Sequence, residues 1–250
     1  MMIMTIAGKE LRALFLSPMA WAILAVVQGI VAYFFLIFLE NFVTLQPRLT
    51  TLPDAPGIST IVVAPLFATV SVILLLIVPL LTMRLVSEER RNKTLSLLMS
   101  APVSISEIVI GKFVGIMAFL LLLLSLLCLM PLSLLFGTTL DTGLFLSGLL
   151  ALALLLASFT AVGLYMSTLT TQPTVAAVNT FGILLLLWIL DLAGTTGNDA
   201  TLLSYLSIMN HYQNLLHGIF SSSDVIYYLL FISVFLVLSI RRLDAERLPH

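Results

Sequence analysis

Six uncharged runs mark out the chain, at about 18–39, 61–83, 113–136, 144–170, 173–190 and 225–240. A bilayer core about 30 Å thick takes about 20 apolar residues per helical crossing, so each run is a candidate span. The last, at 16 residues, is short and would be completed by Ser221–Asp224 or by local thinning of the bilayer. The third begins before its apolar stretch, because Ser104 with Glu107 three residues on is a capping box, which places a helix start near 105. The pattern predicts an all-α polytopic membrane protein with six transmembrane helices: 18–39, 61–84, 105–136, 144–170, 173–191 and 224–241. Pro173 suits the first turn of the fifth span, while Pro79 and Pro131 fall near the ends of the second and third, where a kink is expected. Only Thr170–Gln172 separate spans four and five, which makes them antiparallel neighbours. The whole chain, 1–250, reads as one transmembrane domain without internal repeats.

The intervening segments differ in character. Residues 1–17 place Ile3, Ile6, Ala7, Leu11, Leu14 and Phe15 on one arc with Lys9 and Arg12 opposite, the pattern of an amphipathic helix lying in the interface; Glu10 interrupts the arc. Residues 40–60 carry Glu40, Asn41, Gln46, Pro47, Arg48, Asp54 and Gly57 and read as a polar outer loop. The stretch 192–223 is too polar to span and too apolar to lie free in water. One or two short re-entrant helices, dipping into the outer leaflet against protein, meet both constraints.

Charge then orients the bundle. Ten of the eleven basic residues lie at the N-terminus (Lys9, Arg12), between spans two and three (Arg84, Arg90, Arg91, Lys93, Lys112) and at the C-terminus (Arg241, Arg242, Arg247). Six crossings put those segments on one side, which the positive-inside rule makes cytoplasmic, with both termini inside. The run 18–39 is longer than a signal-peptide core and has no small-x-small cleavage pattern, so it counts as a retained first span. Sixty per cent hydrophobic and 9% charged residues, with a mean hydropathy of +1.18, exclude a water-soluble globule. A net charge of −1 offers no footprint for nucleic acid. The lone Cys128 cannot form an internal disulfide and reads as a small hydrophobe.

No catalytic constellation is present and none is expected. His211, His217 and His250 are the only histidines, too few and wrongly spaced for a metal site. Gly8-Lys9 and Gly111-Lys112 lack the rest of a phosphate-binding loop. The middles of the spans hold no ionisable group of the kind that ion coupling uses. Gln28 and Asn179 are the main amide side chains within them, and interhelical hydrogen bonding is the expected role of both.

The most informative segment is 84–112, between spans two and three. Leu95, Leu98 and Met99 would give a short helix an apolar stripe at i, i+3, i+4, and acidic Glu88 and Glu89 precede basic Arg90, Arg91 and Lys93. Pro102 ends it. From the residues alone this is either a docking surface or a solvated basic loop. Glu88-Glu89-Arg90, Thr94-Leu95, Leu98, Ala101-Pro102-Val103-Ser104 and Gly111-Lys112-Phe113 resemble the motif after the second helix of ABC-2 type transporter permeases. Lys9-Glu10-Leu11 is similar to that family's interfacial helix. Ser207, His211, Gly218, Asp224-Val225-Ile226-Tyr227-Tyr228 and Arg241-Arg242 resemble the C-terminal end of the gliding-motility-associated permeases.

The resemblance implies a non-catalytic permease subunit driven by a separate ABC ATPase dimer, which would bind the ATP and magnesium; no cofactor is expected in this chain. It assigns Glu88, Glu89, Arg90, Arg91, Thr94, Leu95, Leu98 and Pro102 to a cytoplasmic coupling segment, 85–104, and Lys9, Glu10 and Arg12 to the interfacial helix. It also implies a second permease copy or related permease, contact with membrane lipids, and an extracytoplasmic accessory protein, with export or mechanical coupling as the task. Gly111-x-x-x-Gly115 would permit close helix packing at the cytoplasmic end of span three. The competing expectation is a secondary carrier or small channel working without an ATPase.

Overall fold

Two helices in succession, α1 (Met2–Leu16) and α2 (Pro18–Leu49), open the chain and are separated by one residue, Ser17. The computed structural model describes residues 2–49, 57–94, 103–138, 140–194 and 207–247. The turn at Ser17 is held by the indole N–H of Trp21 donating to the Phe15 carbonyl at 2.9 Å, and by edge contacts of the Phe15 ring with Trp21 and Phe119. Continuing α2 to Leu49 overrides the expectation of a loop beginning at residue 40. Polar side chains do not end a helix that emerges into water: no proline interrupts α2 before Pro47, and the Thr44 hydroxyl donates to the Asn41 carbonyl.

A π-helical turn, Ser59–Val63, leads into α3 (Ala64–Thr82), followed by the five-residue α4 (Ser87–Arg91). The long α5 (Ile105–Ser133) starts at the capping box that its sequence announces. The Ser104 hydroxyl accepts from the Glu107 N–H at 3.2 Å, and the Glu107 carboxylate accepts from the Ser104 N–H at 3.1 Å. A 3₁₀ turn, Leu134–Phe136, closes it. Next, α6 (Thr142–Leu169) is capped by the Asp141 carboxylate, which accepts from the N–H groups of Gly143 and Leu144. Then come α7 (Pro173–Gly194), the short α8 (Ile208–Leu216) and α9 (Ser222–Arg247).

Five helical stretches among the described residues are long and apolar enough to cross a membrane: Pro18–Pro47, Ser59–Arg91, Ile105–Phe136, Thr142–Leu169 and Ser222–Glu246. The fifth expected span, 173–191, corresponds to α7, whose apolar part over Pro173–Ile189 is shorter. Within 192–223, where one or two short re-entrant helices are expected, the short helix α8 is described; residues 195–206 lie outside the described residues.

Helices α3 and α6 form the inside of the bundle. Their most apolar windows are 56% buried, against 22% for α2 and 17% for α9. Helix α6 packs on α3, α7 and α9, and Leu152, Leu156, Ala161, Val162 and Leu164 on it are fully buried. Gly163 lets it approach α3 closely, since a Cβ there would collide with Thr82. Hydroxyls within the helices donate to carbonyls of the preceding turn, as Thr69, Thr82, Ser158, Thr160, Thr180 and Ser239 do. These hydroxyls therefore impose no unmet hydrogen bond on an apolar setting. The outward surface carries Tyr33, Leu36, Val72, Leu76, Leu129, Leu146, Leu186 and Leu230 exposed, the belt expected of lipid contact.

At the end opposite α1, α8 is pinned to the bundle by polar groups. The Tyr212 hydroxyl donates to the Phe67 carbonyl and the Tyr228 hydroxyl to the Ile208 carbonyl, both at 2.8 Å, and the Ser147 hydroxyl donates to the Leu215 carbonyl. Burial pushes the Tyr212 phenol far above its ordinary value, so it acts there as a neutral donor.

Candidate functional site at the basic end of the bundle

The N-terminal helix, the segment after α3, the start of α5 and the end of α9 meet at one end. These are the segments that carry ten of the eleven basic residues. Their junction is Lys112, 1% exposed. Its ammonium donates to Glu10 Oε1 of α1 at 2.7 Å and to Glu89 Oε1 of α4 at 2.8 Å. A buried lysine is tolerated only when its charge is met, and here two carboxylates, 102 and 23 residues away in the chain, meet it. One cation thereby ties α1, α4 and α5 together.

Glycines bring α1 close enough for this. A Cβ on Gly111 would stand 2.8 Å from Ile6 Cβ, and one on Gly115 would stand 2.8 Å from Glu10 Cβ and 3.0 Å from the Ala7 carbonyl. The Gly111-x-x-x-Gly115 pair is therefore the seat of α1 on α5. The far side of α1 presents exposed Lys9 and Arg12.

Helix α4 is fastened on two further sides. The N–H groups of Val86 and Ser87 both donate to the Ser167 hydroxyl at 3.0 Å, and that hydroxyl donates to the Met83 carbonyl, so the end of α6 holds the turn between α3 and α4. Ser87 hydroxyl also donates to the Met83 carbonyl. Arg90 pairs with Glu246 of α9 at 2.7 Å, and Arg242 stands 3.6 Å from the same carboxylate. The α4 helix ends at Asn92, and Lys93 takes a left-handed φ of 57°. The Thr94 N–H and hydroxyl then return to the Glu89 carbonyl. Glu88, Arg91, Asn92, Lys93 and Thr94 are left exposed.

Between α1, α2, α3, α4 and α5 lies a cavity of about 370 Å³, with Lys9, Glu10, Arg84, Glu88, Glu89 and Lys112 at its polar side and Leu14, Met19, Leu80, Leu81 and Ile116 at its apolar side. No group of three or more metal-ligating side chains occurs among the described residues.

Of the residues singled out from the sequence, the structure brings Glu10, Glu89 and Arg90 into ion pairs. Lys9 and Glu88 line the cavity, and Arg12 and Arg91 are exposed. Leu95, Leu98 and Pro102, and with them the expected apolar stripe, lie outside the described residues. Neither intramembrane amide joins two helices. Asn179 is exposed on the outer face of α7, and Gln28 Oε1 is buried without a hydrogen-bond partner among the described residues. Side-chain chemistry alone does not reveal which way a largely apolar helix faces. Sequence reasoning missed Lys112 as the hub; the one available signal was a lysine eight residues into a helix that is otherwise apolar onward. It also missed the buried pair of His211 and Asp224, whose Nδ1 and Oδ1 lie 2.6 Å apart where α8 meets α9.

Comparison with known proteins adds one positive result. The family model described as ABC-2 family transporter protein matches residues 4–248, so the similarity extends from α1 through α9. No curated protein matches the sequence.

Proposed function

The chain belongs to the ABC-2 transporter family, a membrane transport component, and from that premise we propose that it is the permease subunit of an ATP-driven transporter powered by a separate ABC ATPase dimer. The observation that carries this reading is the junction at Lys112. A partner pressing on α4 would act at once on α5 through Lys112, on α1 through Glu10 and on α9 through Arg90 and Glu246. The exposed Glu88, Arg91 and Thr94, continued by Leu95, Leu98 and Pro102, form the contact surface in this reading. ATP and magnesium are bound by the partner.

In the same reading α7 is the fifth crossing, which brings the number to six, both termini face the cytoplasm of a bacterial inner membrane, and α8 belongs to a re-entrant outer segment. A second permease copy or related chain completes the path. The exposed face of α7 supports this, because Asn179 with Val175, Val178 and Leu186 leaves an amide facing lipid unless another helix covers it. Export, or conformational coupling to an extracytoplasmic protein, is the proposed task. Kinship with the gliding-motility-associated permeases rests on the residues at 207–228 and 241–242.

Co-purification in mild detergent with the ATPase encoded beside it tests the reading. A stable complex is expected, with ATP hydrolysis altered by Glu88→Ala and by Leu95→Asp. No complex, together with hydrolysis indifferent to both substitutions, would favour a carrier or channel working alone.

A further inference from the structure

The cavity beside the Lys112 junction leaves one carboxylate oxygen without a donor, although its lining balances Lys9, Arg84 and Lys112 against Glu10, Glu88 and Glu89. Two carboxylates, Glu10 and Glu89, share one ammonium, and Glu89 Oε2 is buried with no hydrogen-bond partner among the described residues. A carboxylate oxygen shielded from water without a donor is costly, so it calls for an N–H donor, and a charged N–H group makes the stronger bond. Across the same cavity, Lys9 and Arg84 are exposed and form no ion pair among the described residues, and they outnumber the one exposed carboxylate of that wall, Glu88. They offer positive charge to an anion. The remaining wall is hydrocarbon: Leu80 both lines the cavity and stays 41% exposed on the outer apolar surface of α3, so the space opens toward acyl chains rather than only toward water.

A cation with N–H donors, an anion a few ångströms away and an adjoining hydrocarbon portion are the parts of one kind of molecule. We propose that this cavity binds the headgroup of an aminophospholipid, its primary ammonium at Glu89 Oε2, its phosphate at Arg84 and Lys9, and the start of its acyl chains along Leu80. A quaternary ammonium has no N–H to donate and cannot satisfy Glu89 Oε2 by hydrogen bonding, so phosphatidylethanolamine is preferred over phosphatidylcholine. The occupant stabilises the seat of α1 and α4, and the assignment does not depend on what the assembly moves.

Native mass spectrometry of the full chain in mild detergent, titrated with dioleoyl phosphatidylethanolamine, phosphatidylcholine or phosphatidylglycerol, tests this. Phosphatidylethanolamine is expected to be held about tenfold more tightly than phosphatidylcholine, the effect of one hydrogen bond to a charged group. Glu89→Gln keeps an acceptor for Lys112 but removes the anionic oxygen, and it is expected to abolish the preference. Arg84→Gln, at an exposed position that leaves folding intact, is expected to weaken both lipids alike. Equal retention of the two lipids by the unaltered chain, an undiminished preference in Glu89→Gln, or tighter retention of phosphatidylglycerol would overturn the proposal. Competition by soluble glycerophosphoethanolamine would overturn the lipid assignment in favour of a free ligand. Release of bound phosphatidylethanolamine on adding the ATPase would put a protein side chain in its place.

Discussion

Nη2 of Arg90 lies 2.7 Å from both carboxylate oxygens of Glu246, across 156 residues of chain. This pair joins the segment after the second span to the last helix. Because the two side chains are 16% and 29% exposed, solvent weakens the attraction, and a double-mutant cycle of Arg90→Ala and Glu246→Ala should give a coupling of about 0.5–1 kcal/mol in thermal stability. The exchange Arg90→Glu with Glu246→Arg should recover most of what either reversal alone loses. A coupling of zero would mean that the contact is not populated.

Lys112 should matter far more. It is nearly inaccessible and both its partners are largely covered, so Lys112→Ala leaves two carboxylates facing each other with no counter-charge. A loss of about 3–5 kcal/mol is expected, seen as a large drop in melting temperature in detergent. Arg12→Ala, on the exposed side of α1, should leave the melt nearly unchanged. Equal effects of the two would remove the hub.

The seat of α1 predicts a contrast between glycines. Gly115→Val pushes a side chain into Glu10 and the Ala7 carbonyl and should cost about 1–3 kcal/mol, with α1 becoming sensitive to protease. Gly29→Ala, where nothing lies within 4 Å of the added carbon, should change stability by no more than about 0.5 kcal/mol.

At the opposite end, His211 stacks on Tyr227 with ring centroids 4.2 Å apart and shares its Nδ1 with Asp224. Asp224→Asn preserves an oxygen that accepts from an Nδ1–H, whereas Asp224→Ala deletes the partner of a buried ring nitrogen. The alanine variant should be less stable than the asparagine variant by about 1–3 kcal/mol. Matching melting curves would show that the pair contributes nothing.

Orientation has its own measurement. With Cys128 buried, a cysteine introduced at Thr138 should react with an impermeant maleimide on intact cells and one introduced at Asn92 only after permeabilisation. The reverse pattern would invert the assignment of sides.

Much of the helix layout was legible because hydrophobic length and capping are local. The capping box at Ser104 and Glu107 announced α5, and Asp141 to Leu169 followed the expected fourth span closely. The end of α2 was not, since Glu40 and Asn41 mark where a helix leaves hydrocarbon, not where it stops. The direction of Asn179 was illegible for another reason: apart from Asn179, Thr174 and Thr180 the membrane part of α7 is apolar all round, so its rotation is set by neighbours that its own sequence does not record. The hub was hidden by distance along the chain. Glu10, Glu89 and Lys112 are each ordinary interfacial charges until folding brings them to one point.

That meeting point has a mechanical consequence. Helix α5 is 29 residues long, about 43 Å at 1.5 Å per residue, and it is gripped at its first turns by α1 and α4. Tilting a rod of that length by about 5° around its gripped end sweeps the other end through about 4 Å, more than the width of a water molecule. Small movements at the basic end are thus magnified, not absorbed, by the time they reach Ser133.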